Sequence, residues 1–105
     1  MHVQIVTFHL EAMTAREYRE VCDQLAPAFA ALPGLASKTW LADDAANTYG
    51  GVYTWRDEQA MQAFADTDLF KAFVADPHFT DITARDFAVL DGPTAVTQPH
   101  ASLAA

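Results

Sequence analysis

A single cysteine, Cys22, stands in the whole chain, which excludes an internal disulfide and a cysteine-rich metal site and leaves the thiol as a small core residue. Cations are few: six Lys and Arg, scattered singly, face fourteen Asp and Glu, for a net charge of -8. Without a basic face the chain has nothing to hold a phosphate backbone, and an anionic bilayer repels it, so neither nucleic acid nor membrane is expected as a partner. No apolar run reaches the length of a membrane span. Met1 to Leu10 alternate polar and apolar without a basic start, which argues against a secretory signal and for a cytoplasmic protein. The four histidines, His2, His9, His78 and His100, lack close ligand spacing, and no metal site is expected.

What is present is apolar substance: 51% of 105 residues, spread along the chain. That is one domain's worth, small enough for sheet surface to stay bare unless a partner covers it. Val3, Ile5, Thr7 and His9 alternate with Gln4, Val6, Phe8 and Leu10, a first strand apolar on both faces. Thr14 with Glu17 has the form of a capping box, and Tyr18, Val21, Cys22, Leu25, Phe29 and Leu32 follow at helical spacing, so a helix is predicted over Ala15 to Ala31 with a kink at Pro27.

Pro33-Gly34 turns the chain into a strand from Leu35 to Leu41, a polar hairpin loop from Asp43 to Thr48, and a strand from Tyr49 to Trp55. Gly50-Gly51 in that last strand marks a bulge or a place where an aromatic ring lies on bare backbone; no Lys-Ser or Lys-Thr follows, so it is no phosphate loop. Asp57 caps a second helix, Asp66-Thr67-Asp68 restarts it, and Asp76-Pro77 ends it. Thr83 to Leu90 is the fourth strand. The order βαββαβ is that of a ferredoxin-like α+β domain: an antiparallel sheet with its helices on one face, spanning residues 1–91, with 92–105 as a C-terminal extension or arm. The uncovered face predicts a homodimer, two sheets closing into a dimeric α/β barrel.

Specific strings sharpen this. Pro33-Gly34-Leu35 with Lys38-Thr39-Trp40, Gly50-Gly51-Val52-Tyr53-Thr54-Trp55 with Asp57-Glu58, and Phe87-Ala88-Val89 leading to Pro93 resemble the YdhR-like monooxygenases over nearly the whole chain. That family is related to the antibiotic-biosynthesis monooxygenases, and the resemblance implies a dimeric α/β barrel and oxygenase chemistry. In the haem-degrading members of the wider superfamily, the resemblance places the iron-ligating histidine at Val74, a helix tryptophan at Phe64 and a strand-one asparagine at about Thr7, so the haem set is not carried over. A cofactor-free enzyme is therefore expected.

Cofactor-free oxygenation needs an electron-rich aromatic or enol, a dry pocket, a base, and a donor for developing oxyanion charge. His78, at the end of the helical segment, is the candidate base or acid, with Tyr53 and Trp40 as catalytic partners. Thr7, His9, Trp55, Phe64, Phe70, Phe73 and Arg85 complete the expected small-molecule pocket, although the aromatics serve equally as core or dimer interface. Lys38 and Arg85 are cations inside strands that must snorkel, pair with an acid such as Asp86 or Glu11, or hold an anionic oxygen; an ion pair across the dimer is the favoured outcome. The competing readings are a cyclase or isomerase that moves protons on a polyketide-like chain through His78 and Tyr53, and a non-catalytic small-molecule-binding dimer.

Overall fold

The computed structural model describes residues 1–98. It contains β1 (His2–Leu10), α1 (Ala15–Ala30), β2 (Leu35–Asp43), β3 (Thr48–Trp55), α2 (Glu58–Phe64), α3 (Asp68–Ala75), β4 (Phe79–Ala88) and α4 (Asp91–Thr97). The strands form one antiparallel sheet in the order β2-β3-β1-β4. This is the ferredoxin-like α+β fold, with the second helical segment split into α2 and α3.

Local chemistry sets the boundaries. Thr14 and Glu17 cap α1 reciprocally, Thr14 Oγ1 accepting from the Glu17 N–H and Glu17 Oε1 from the Thr14 N–H. Asp57 caps α2 through the Ala60 N–H, and Thr67 caps α3 through the Phe70 N–H, which makes the restart two helices rather than one. Asn47, in the left-handed region at φ 48°, turns the β2–β3 hairpin and donates to the Leu10 carbonyl at 2.9 Å.

The fourth strand begins at Phe79, four residues before the predicted Thr83, because Asp81 at φ 51° breaks the alternation where the β1–β4 register shifts between Thr7 and His9. The expected arm starts with α4, which runs to Thr97; residues 99–105 lie outside the described residues.

Period-two alternation divides the sheet. On β1 the even residues His2, Val6, Phe8 and Leu10 are buried under the helices, and the odd residues Val3, Ile5, Thr7 and His9 lie on the other face. Register carries the division outward: Tyr53 and Trp55 of β3, and Lys38 and Trp40 of β2, share the helix-covered face. Thr54, Thr83, Arg85 and Phe87 share the open face with Val3 and Ile5, and α4 reaches only one end of it, near Val3 and Thr54. The core is aromatic: Phe64, 4% exposed, lies 5.1–6.0 Å, centre to centre, from the rings of Phe29, Tyr53, Trp55 and Phe70. Each such ring contributes about 1.5–3 kcal/mol through burial.

Candidate active site

Between the sheet and α1 and α3 lies an apolar cavity. Val6, Phe8 and Tyr53 form its floor, Tyr18, Leu25 and Phe29 of α1 one wall, and Phe64, Phe70 and Phe73 the far end. Its enclosed volume is about 50 Å³, rising to about 510 Å³ with the open mouth counted. The enclosed part holds only a few water molecules.

Among the described residues one charged group reaches this cavity. The Lys38 Nζ sits 3.4 Å from the centre of the Phe29 ring, 3.5 Å from Trp40 and 4.7 Å from Tyr53. Gly51 makes the room: a Cβ there would lie 2.9 Å from Lys38 Cε and 3.3 Å from the Tyr53 ring. Among the described residues Lys38 forms no salt bridge, and burial pushes its amine down to about 7, opposed only by the Cys22 thiol across on α1. The aromatic faces attract the ammonium form and pull the other way. Lys38 thus stands near the point where both protonation states are accessible at neutral pH.

The other ionisable groups around the cavity are weak acids kept protonated. Burial raises the Tyr53 hydroxyl, and burial together with a hydrogen bond to Cys22 raises Tyr18. Cys22 is itself pushed up by burial, with Lys38 pulling slightly the other way. The Tyr53 hydroxyl therefore stays protonated at neutral pH and can donate a hydrogen bond.

The predicted residues separate into two groups. Trp40, Tyr53, Phe64, Phe70 and Phe73 line the cavity. Trp55, fully buried, stacks on Tyr53 at 5.9 Å with the rings 1° from parallel and donates from Nε1 to Gln4 Oε1 at 3.1 Å, behind the cavity rather than in it.

His78, Thr7, His9 and Arg85 stand elsewhere. His78 lies in the α3–β4 loop, its Nδ1 2.8 Å from Asp76 Oδ1 and its carbonyl accepting from the Glu11 N–H at 2.8 Å, so it ties the loop to the end of β1. Thr7 bonds Thr83 at 2.6 Å, His9 pairs with Asp81 at 3.0 Å, and Arg85 lies 5.2 Å from the Phe87 ring; odd-numbered β1 residues and their β4 partners face away from the helices. The ion pair expected of Lys38 across a dimer is corrected by the same parity, because its side chain turns under the helices.

Lys38, Tyr18 and Phe29 are among the lining residues that the sequence did not place in the pocket. The available signal was alternation: in Lys38-Thr39-Trp40 the lysine must share a face with the tryptophan. A separate cluster, His2 with Glu58 and Asp86, brings ligand atoms within 4.8 Å of one another at the sheet end, although His2 shows no close sequence neighbour of that kind. His2 Nε2 is already 2.6 Å from Asp86 Oδ2, an adequate partner for a buried imidazole.

Residues 3–100 match the family described as "Putative mono-oxygenase ydhR". The chain belongs to that family. No curated protein matches the sequence. Among solved structures, an antibiotic biosynthesis monooxygenase superposes with a TM-score of 0.69 at 14% identity, covering 86% of this chain and 99% of that one. The cofactor-independent oxygenase SnoaB from Streptomyces nogalater superposes with a TM-score of 0.66 at 22% identity, covering 84% and 92%. The haem degrader MhuD from Mycobacterium tuberculosis, solved with two haems in its active site, gives 0.65 at 21% identity over 86% and 96%. At such identities the likeness is one of fold. At the positions weighed for haem, this YdhR-family chain carries an exposed valine, Val74, and a core phenylalanine, Phe64.

Proposed function

We propose that this YdhR-family protein is a cofactor-independent monooxygenase acting on a small aromatic or polyketide-like compound. The observation that carries the reading is the cavity itself: an apolar hollow walled by aromatic rings, with Lys38 and the Tyr53 hydroxyl as polar groups at hand. Oxygenation without a cofactor requires the substrate to supply the electrons. A phenol with a free ring position can do so, phenol plus O₂ giving quinone plus water, one oxygen atom entering the ring and the other leaving reduced. The protein's part is to hold the ring in a dry site and to stabilise the aryloxide. Trp40 and Tyr53 supply flat walls, and the protonated Tyr53 hydroxyl supplies a donor to a developing oxyanion.

A homodimer working in the cytoplasm belongs to this reading. Phe87 at 45% exposure on the open face supports the dimer, as do Leu90 and Val96, each about three-quarters exposed. No described helix is long and apolar enough to cross a membrane.

Oxygen uptake by chelator-treated protein, measured with a panel of hydroxylated two- and three-ring aromatics, tests the proposal. Incorporation of one ¹⁸O atom from labelled O₂ into a quinone product is the expected result. Turnover that persists without oxygen would instead favour proton-transfer chemistry, a cyclisation or isomerisation, in the same cavity.

A further inference from the structure

The Lys38 amine ends in a cage of three aromatic faces, and among the described residues it has no acid to pair with and the cavity wall carries no other cation. A lysine that served only packing would extend its nitrogen to water, as long cationic side chains do at a sheet edge. Here the glycine at position 51 instead leaves space for the chain to fold inward, Lys38 Cε lying where an alanine Cβ would be crowded. The groups facing the amine, Cys22 and Tyr53, are acids too weak to take up its charge. The cage therefore lacks one component, an acidic oxygen on a flat apolar body.

We propose that Lys38 binds the acidic hydroxyl of a planar aromatic substrate in this cavity and accepts its proton, an inference that rests on the oxygenase reading above. The step is a single proton transfer: the substrate O–H bond breaks, an N–H bond forms at Nζ, and an ammonium–aryloxide pair results. The aryloxide is the form that can pass an electron to oxygen. Phe29 and Trp40 assist, because their faces favour the ammonium that the transfer creates. The pair forms where water is scarce, which strengthens its attraction. Lys38 is thus both the anchor that orients the ring and the base, the role that the sequence assigns to His78.

The probe is 4-nitrophenol, whose phenol and phenolate forms absorb at different wavelengths. Titrated into the wild-type protein, it should bind as phenolate, with a preference over the phenol of about tenfold or more. Lys38→Met, close in shape but without charge, should bind it as the neutral phenol. Lys38→Arg should keep the phenolate preference, because its cation is permanent.

Neutral phenol bound to the wild type, no binding at all, or an unchanged preference in Lys38→Met would each overturn the proposal. Should Lys38→Met fail to fold, as judged by circular dichroism, the wild type alone decides: the bound probe must ionise at a lower pH than the free one. Oxygen uptake is measured separately. Phenolate binding without uptake removes the oxygenase reading and leaves Lys38 its role; uptake that Lys38→Met fully retains does the reverse.

Discussion

The Cε of Lys38 lies 2.9 Å from the point where Gly51 would carry a Cβ, while the same construction at Gly50 strikes the Val6 carbonyl oxygen at 1.9 Å. Adjacent glycines thus do different work. Gly50 permits β1 and β3 to approach; Gly51 lets a lysine fold into the aromatic cavity.

This distinction predicts unequal costs. Gly51→Ala meets the flexible end of a side chain, so it should destabilise by about 1 kcal/mol or less yet displace Nζ and weaken binding of an aryl anion several-fold. Gly50→Ala meets backbone and should cost roughly 3 kcal/mol or more, through broken strand pairing. Urea unfolding of the two variants, with equal midpoints, would contradict the assignment.

The buried amine makes stability depend on pH. Folding lowers the Lys38 amine from 10.5 to about 7, so the unfolded chain binds more protons between those values, and stability rises with pH there by up to about 1.4 kcal/mol per unit. Cys22 and the tyrosines act oppositely: their raised values mean stability is lost as pH climbs through roughly 9 and above. Subtracting the Lys38→Met profile from the wild-type profile isolates the rising limb. A flat difference curve between pH 7 and 9 would contradict the placement of the amine.

Phe64 joins the cavity end to the core, its ring within 6.0 Å of four others. Phe64→Ala should cost about 3–5 kcal/mol. Because the lost ring also borders the cavity, ligand affinity should fall with it, whereas Phe64→Leu should recover most of the stability. Denaturation and 4-nitrophenol titration on the same samples check both halves.

His78 pairs with Asp76 and faces the loop rather than the cavity. His78→Ala should therefore cost about 1 kcal/mol of stability and change kcat/KM on an oxidised phenol by less than about threefold. A loss of a hundredfold or more would restore His78 as the base.

Much of the fold could be read from the chain. The Thr14–Glu17 box and the alternation of β1 place α1 and the central strand correctly, because capping and period-two patterning are local effects. The start of β4 could not be read, since Asp81 adopts a left-handed conformation that only the bulge opposite Thr7 and His9 explains. The aromatic half of the site was legible for the same reason β1 was: bulky rings at strand and helix periods must meet in the core. The charged half was legible only in part: alternation puts Lys38 on the face of Trp40, but does not say what it meets there. Whether Lys38 meets a partner across a dimer or an aromatic cage depends on its register opposite Tyr53 and on the bare backbone at Gly51, both set by tertiary pairing. In the string Asp76 reads only as a helix-ending residue, and its pairing with His78 shows only in the fold.

The most direct test of the account is a crystal structure of the protein soaked with 4-nitrophenol. The account predicts its ring over Tyr53 and Trp40 with the phenolate oxygen within hydrogen-bond distance, about 2.7–2.9 Å, of Lys38 Nζ. A ligand seated on the open face of the sheet, or in the cavity with its oxygen turned from Lys38, would contradict it.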